Sequence, residues 1–405
     1  MKILGIIAEY NPFHNGHAYH LKKSKEEVGA DVTVAVMSGN FVQRGEPAVL
    51  NKWIRSEMAV RNGVDLVLEL PFVFACNNAE IFAKGSVNLI NSLGCVDYLS
   101  FGSEEGEVQP LEKIADFLEP ESEEFSSAVR EFAGEGISYP RAREKALSLL
   151  LGQKYGQLLK SPNNILGIEY LKQIKVLNSH VNPVTITRHG ASVNETDPLT
   201  SIAGATAIRR LLDDGKYDEA LKYLTTPSQK MIEDNKNIIT DLEQFNQLLI
   251  YSIFTKSDDQ LMDIYSITEG LENKVRDSAK DATSVNDLIK LIKSKRYTET
   301  RIKRILIHIL LNLTKSSTSR IIDENQMYTR VLAFNEKGAS LLKSIKKEEC
   351  SEIPIITNIR KERDMLDGCQ DLFDYDILAS DIYNLVTFGS VGENSEYRQI
   401  PAYVR

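Results

Sequence analysis

Along the first half of the chain, short apolar runs alternate with longer stretches of helical spacing. The runs fall at residues 3–8, 31–37, 65–70, 98–103 and 184–188. They are short, rich in apolar and β-branched residues, and several are bounded by Gly, Pro, Asn or Asp. That pattern predicts strands buried on both faces. Between them, helical spacing predicts helices opening at residue 18, over 51–62, 79–93 and 163–176, and from Gly204 to Leu212. Gly63 and Gly94 stop two of these. The alternation predicts an α/β fold, a Rossmann-like doubly wound parallel sheet with helices on both faces. Residues 104–160 read as a helical, Glu-rich insertion packed on that sheet. Residues 41–47 read as a polar segment leading into a helix. Beyond about residue 220 the strand signals fade, and helical periodicity takes over in 242–254, 285–293 and 298–313. Two domains are therefore expected, residues 1–222 and a mainly α-helical one over 223–405, meeting beside Thr225-Thr226-Pro227.

The segment Tyr10-Asn11-Pro12-Phe13-His14-Asn15-Gly16-His17 stands where the first strand hands over to the first helix. That is the ligand-binding edge of an open α/β sheet. A helix N-terminus offers free N–H groups and the positive end of the dipole. Gly16 permits close backbone approach, and the imidazoles of His14 and His17 can donate to phosphate oxygens. The stretch predicts a nucleotide site. Two histidines three apart also fit a metal or chance, but the setting at the end of the first strand favours the nucleotide. His-x-Gly-His in this setting resembles the nucleotidyltransferase superfamily, whose members attack the α-phosphate of ATP and expel pyrophosphate. Thr206-Ala207-Ile208-Arg209 resembles the same superfamily's Ser/Thr turn before Ile-Arg, which grips the triphosphate. Here Gly204-Ala205 stands where many relatives carry serine hydroxyls, which leaves Thr206, Arg209 and backbone N–H groups.

Composition adds limits. Hydrophobic residues make up 42% of the chain and charged residues 26%, as in ordinary globular proteins. No apolar stretch reaches membrane-spanning length, and the first strand lacks the features of a secretory signal. Cys76, Cys95, Cys350 and Cys369 show no close pairing and read as reduced structural thiols. A cytoplasmic protein with no membrane partner is expected.

The net charge is −9, yet residues 290–347 carry 14 Lys+Arg against 4 Asp+Glu. Such a block fits either a polyanion site or a solvated Lys-rich face. Lys290, Lys293, Lys295, Arg296, Arg301, Lys303 and Arg304 precede an apolar helical body at 305–311. Tyr297 and Tyr328 interleave, placed either to stack on RNA bases or to pack in the core. Trp53 reads as packing, His308 as a buried hydrogen-bonded histidine, and the acidic run at 371–376 as a solvated turn.

Three further pieces complete a pattern: Ser38-Gly39-Asn40-Phe41-Val42-Gln43-Arg44-Gly45-Glu46-Pro47-Ala48, Phe101-Gly102-Ser103-Glu104 and Pro162-Asn163-Asn164-Ile165-Leu166-Gly167. With residues 9–17 they resemble the bacterial tRNA(Met) cytidine acetate ligase family. The resemblance runs over essentially the whole chain and is strongest over residues 7–103. It implies that ATP, as substrate, activates acetate as acetyl-adenylate. The acetyl group then passes to N4 of the wobble cytidine of elongator methionine tRNA, giving N4-acetylcytidine. Mg2+ is expected on the triphosphate, with no metal ligand from the protein and no DNA partner. The implied ATP-binding residues are Ile7, Ala8, Glu9, Tyr10, Asn11, Pro12, Phe13, His14, Asn15, Gly16, His17, His20, Gly102, Asn163 and Arg188. Thr206 and Arg209 join them from the second motif.

His14 and His17 are the expected catalytic pair, placing positive charge where pyrophosphate leaves, with Lys22, Lys23 and Arg209 nearby. From the basic block, Lys295, Arg296, Arg301, Lys303 and Arg304 are the expected tRNA-binding residues. A small-molecule adenylyltransferase explains the first half equally well but leaves the basic block without a purpose. A non-catalytic RNA-binding protein would not require His14, Gly16 and His17.

Overall fold

The computed structural model describes residues 1–188, 202–295 and 297–405. Arg296, expected at the tRNA interface, lies outside the described residues. The strands are β1 (Ile3–Ala8), β2 (Val32–Ser38), β3 (Phe41–Val42), β4 (Glu46–Pro47), β5 (Leu66–Leu70), β6 (Tyr98–Ser103), β7 (Asn182–Thr187), β8 (Thr329–Phe334), β9 (Ile355–Ile356) and β10 (Ala402–Tyr403). Five of them pair in parallel in the order β5-β2-β1-β6-β7, as the alternation predicts. The strand order reverses between β1 and β6. That switch point is where the crevice for a ligand opens at the carboxyl ends of the strands.

Among the flanking helices are α1 (Asn15–Val28), α2 (Lys52–Arg61), α3 (Ala79–Ser92), α4 (Pro162–Val176), α5 (Ala205–Asp213), α6 (Glu299–Leu310), α7 (Glu336–Glu348) and α8 (Gln370–Phe388). The alternation of side chains across each strand sorts them onto two faces. Leu4, Ile6, Ala35, Met37 and Val67 pack with residues of α1, α2 and α5, among them Leu21, Met58 and Ile208. Val34, Val36, Leu66 and Leu68 pack with residues of α3 and α4 and with the helical part of the chain. β2 is buried at every position, which is why it reads as an unbroken apolar run. Asn51 and Asn78 fix the starts of α2 and α3 by accepting from Ile54 N–H and Ile81 N–H, each at 3.0 Å.

Residues 223–405 are mainly helical, but they return to the sheet. β8 pairs antiparallel with β5, and β9 and β10 run parallel to β8. These strands escaped the sequence reading because two of them are only two residues long and β8 opens with Thr329 and a buried Arg330, which leaves an apolar run of four residues. The helical part also shares the core of the first half. Phe41 meets Phe245 and Tyr383 edge-on at 5.8 and 6.2 Å, and the Tyr383 hydroxyl donates to Ala48 O at 2.7 Å.

Other expectations need correction. Residues 41–47 form the β3–β4 hairpin rather than a plain lead-in. The acidic run at 371–376 lies on α8, where buried Asp376 accepts from Phe72 N–H at 2.6 Å and from the Tyr328 hydroxyl. The basic block is not one face. Arg330 is buried against Glu396, and Lys337 reaches Asp31 O at 2.9 Å. Trp53 packs as expected, under the Arg330 guanidinium at 4.6 Å, and so does His308, whose Nε2 lies 2.8 Å from Cys76 O, with Nδ1 3.3 Å from Tyr265 O.

Candidate active site

The site grows from the handover between β1 and α1. His14 is the N-cap of α1, and its Nδ1 accepts from Gly16 N–H at 3.0 Å. His17, one turn on, accepts at Nδ1 from His14 N–H at 3.3 Å. The two rings stack with centroids 3.7 Å apart and planes 22° from parallel. A neutral imidazole that accepts at Nδ1 carries its proton on Nε2, so both rings are fixed as Nε2–H donors. A Cβ on Gly16 would come within 2.9 Å of His14 Cε1, which is the steric reason for glycine between the two histidines.

Burial pushes His14 down to about 3, with the charges of Arg188 and Arg209 adding to the effect. Burial likewise holds His17 well below the usual histidine value and His20 down at about 4. All three are neutral near pH 7. Where the sequence reading expected formal positive charge on His14 and His17, burial instead favours two oriented neutral donors. Lys22 and Lys23 are exposed, and Lys23 pairs with Glu26 at 2.8 Å.

The loop itself is packed tightly. Tyr10 and Phe13 are core residues with rings 4.8 Å apart, and Pro12 is buried beside them. Asn11 is buried too, its side-chain oxygen accepting from Val49 N–H at 2.8 Å. These side chains shape the loop from beneath. Ile7, Ala8 and Glu9 are half-buried, and burial pushes the Glu9 carboxyl up against the opposing charges of Arg209 and Arg44. Asn15 ties the loop to the segment after α5, through its N–H to Tyr223 O at 3.0 Å. His20 Nε2 lies 3.2 Å from Ser100 Oγ on β6, which joins α1 to the strand across the switch point.

From β6 and β7 come Gly102 and Arg188. A Cβ on Gly102 would approach Arg188 Cγ at 3.0 Å, so the arginine stem lies across the glycine, within electrostatic reach of His14, His17 and His20. Asn163 Nδ2 donates to Glu104 Oε1 at 2.6 Å. Its neighbour Asn164 accepts from Glu104 N–H at 2.9 Å and from Glu105 N–H at 3.3 Å. From α5, Arg209 donates through Nη1 to Asn11 O at 3.2 Å and through Nη2 to Thr206 Oγ1 at 3.4 Å. The structure thus brings together the histidines, Gly102, Arg188, Thr206 and Arg209 around the switch point, with Asn163 joined to that edge through Glu104.

Two contributors have no local sequence signal. Arg55 is fully buried on α2 and donates to Leu50 O, Ser38 O, Gly39 O and Glu9 O, pinning the loops after β1 and β2. Glu46 on β4 holds Arg209 at 3.0 Å and Lys303 at 2.7 Å. Arg55 shares its buried helix side with Lys52 and Ser56, so no apolar pattern singles it out, and Glu46, though inside the 38–48 stretch, carries no sign of its partners.

The expected tRNA-binding residues are dispersed. Lys295 is exposed. The Arg301 guanidinium lies 5.0 Å over the Tyr297 ring and donates to Ser266 O at 3.4 Å. Lys303 and Arg304 turn toward the β3–β4 hairpin, Arg304 reaching Gln43 O at 3.2 Å. Tyr297 and Tyr328 are buried, 8% and 2% exposed, so they pack rather than present free ring faces.

The fold and this cluster define a nucleotidyltransferase. The model of the family described as HIGH Nucleotidyl Transferase matches residues 1–398. Two relatives carry the name tRNA(Met) cytidine acetate ligase. That of Thermoanaerobacter sp. is 43% identical over 389 residues, covering 95% of each chain. That of Clostridium perfringens is 40% identical over 414 residues, covering 100% of each. A crystal structure of Thermotoga maritima TmcAL bound with alpha-thio ATP matches with a TM-score of 0.92 and 33% identity over the full length of both chains. The chain belongs to the tRNA(Met) cytidine acetate ligase family.

Proposed function

We propose that this protein joins acetate to the N4 amine of the wobble cytidine of elongator methionine tRNA at the expense of ATP. The observation that carries the mechanism is the stacked His14–His17 pair, two fixed Nε2–H donors at the switch point of a nucleotidyltransferase sheet. An acetate oxygen attacks the α-phosphorus, the bond to the β-phosphate oxygen breaks, and pyrophosphate leaves with the electron pair. The two imidazoles and Arg209 meet the charge that gathers on the leaving group. Such preorganised donors are worth roughly a hundred- to a thousandfold in rate each. The cytidine N4 then attacks the acetyl carbonyl carbon, AMP departs, and N4 loses a proton.

Gly102, Asn163 and Arg188 are proposed to line the nucleotide, and Tyr10, Asn11, Pro12 and Phe13 to shape its loop. Residues 1–222 carry ATP in this reading, and residues 223–405 the tRNA, with Lys295 and Arg301 among the side chains that meet its phosphates. Mg2+ is proposed to arrive on the triphosphate. No helix among the described residues is long and apolar enough to cross a membrane, and the proposed place of action is the cytoplasm.

The test is incorporation of labelled acetate into bulk bacterial tRNA with ATP and magnesium, with acetyl-CoA as donor in a parallel reaction. ATP-dependent label from acetate, lost in His17→Ala, supports the reading. Label from acetyl-CoA alone overturns the adenylate mechanism. No label from either donor, with ATP still bound, points to a small-molecule adenylyltransferase.

A further inference from the structure

Glu46 is the junction of two parts of the molecule that the sequence keeps far apart. Its Oε2 lies 3.0 Å from Arg209 on α5, and its Oε1 lies 2.7 Å from Lys303 on α6. Arg209 in turn donates to the carbonyl of Asn11, inside the histidine loop. Lys303 is also shared with Glu299 at 3.3 Å. The hairpin bearing Glu46 is seated directly on α6. Gly45 at its tip has φ +75°, a Cβ there would collide with the backbone of Arg304, and Arg304 donates to Gln43 O at 3.2 Å. The row Glu299–Lys303–Glu46–Arg209–Asn11 O therefore runs without a gap from the helical half to the nucleotide loop.

We propose that Glu46 is a positioning residue that divides its charge between Arg209 and Lys303, so that the state of α6 sets how much of Arg209 is available to a phosphate. This inference rests on the reading of Arg209 as a triphosphate contact. The physical basis is competition. A carboxylate with two cationic partners binds each less tightly than it would bind one alone, and a phosphate at Arg209 competes with it for the same guanidinium. Burial disfavours the Glu46 carboxylate, and Arg209, Lys303 and Arg44 outweigh that, holding it below the usual carboxylate range. Glu46 is thus charged at neutral pH. By linkage, whatever draws Lys303 away from Glu46 tightens the grip of Glu46 on Arg209 and weakens ATP binding. Whatever removes the Glu46 charge frees Arg209.

The two effects have opposite signs, which no loss of folding imitates. The experiment is ATP affinity by titration calorimetry on the full chain without tRNA, for wild type, Lys303→Met, Glu46→Gln and the double variant, with melting curves alongside. Lys303→Met is expected to raise the Kd for ATP about fivefold and Glu46→Gln to lower it by a similar factor. Adding Lys303→Met to Glu46→Gln is expected to change Kd less than about twofold, because the route between them is gone. An unchanged Kd in Lys303→Met, or weakening of equal size with and without Glu46, overturns the proposal. Acetate incorporation measured separately in wild type tests the ligase reading, since a protein that binds ATP with these signs yet labels no tRNA keeps the relay and loses the ligase.

Discussion

The rings of His14 and His17 stack 3.7 Å apart, and each accepts one backbone N–H through Nδ1. The helix N-terminus thereby fixes the tautomer of both rings, leaving Nε2–H as the donor on each. This arrangement favours the neutral form of both rings. A charged ring would carry a proton on Nδ1, where the backbone N–H already points.

Removing either ring takes away one oriented donor. His14→Ala and His17→Ala are each expected to lower acetate-dependent tRNA labelling by about a hundredfold or more. Filter binding of tRNA is expected to stay within about twofold of wild type. Loss of tRNA binding in step with activity would show that the loop serves both substrates.

Gly16→Ala tests the geometry without removing a donor. The added Cβ meets His14 Cε1 at 2.9 Å and must push the ring aside. A shift of this kind at a catalytic group costs on the order of a hundredfold in rate. The expected outcome is a large fall in kcat with a melting temperature close to wild type.

Much of this site was legible in the chain, because a buried strand and a helix meeting at His-x-Gly-His is a local signal. Gly102 and Arg209 were legible only through the family resemblance, since Arg209 alone reads as an ordinary arginine in the middle of a helix. What stayed hidden is nonlocal. Glu46 and Lys303 are 257 positions apart, and nothing in the spacing of either announces the other. β8 was missed because its apolar run is only four residues, Val331 to Phe334, behind Arg330, whose burial is balanced by Glu396, 66 positions on. Tyr297 and Tyr328 looked like base-stacking candidates because helical spacing alone did not reveal that both rings are buried.

The tRNA assignment is tested by charge reversal. Lys295→Glu with Arg301→Glu is expected to weaken tRNA binding and to flatten its salt dependence, by about one unit of slope for each phosphate no longer neutralised. Titration of tRNA at several salt concentrations reads both quantities. Weaker binding with an unchanged slope would mean that the two side chains act through the fold.

Lys52 anchors a buried ionic group: its Nζ lies 2.7 Å from Glu69 and 3.1 Å from Glu396 Oε2, the oxygen that Arg330 also holds. Lys52→Met would leave two carboxylates sharing one cation in the interior. The expected loss is about 3–5 kcal/mol in urea unfolding. A loss under about 1 kcal/mol would mean that water or a proton compensates the pair.

His308 supplies a signed pH test away from the nucleotide site. It is fully buried, its Nε2 lies 2.8 Å from Cys76 O, and burial pushes it down to about 4 against the opposing pull of those backbone carbonyls. The unfolded chain takes up this proton near pH 6.5, and the folded chain resists until about pH 4. The contribution is therefore whole above pH 6.5 and falls as the pH drops toward 4. Between pH 6.5 and 5 it falls by about 1.5 kcal/mol. His308→Gln has no such proton to exclude. The stability gap between wild type and His308→Gln, read from melting curves, is expected to narrow from pH 7 to pH 5. A gap that stays constant or widens would mean that the two carbonyls hold His308 protonated within the fold.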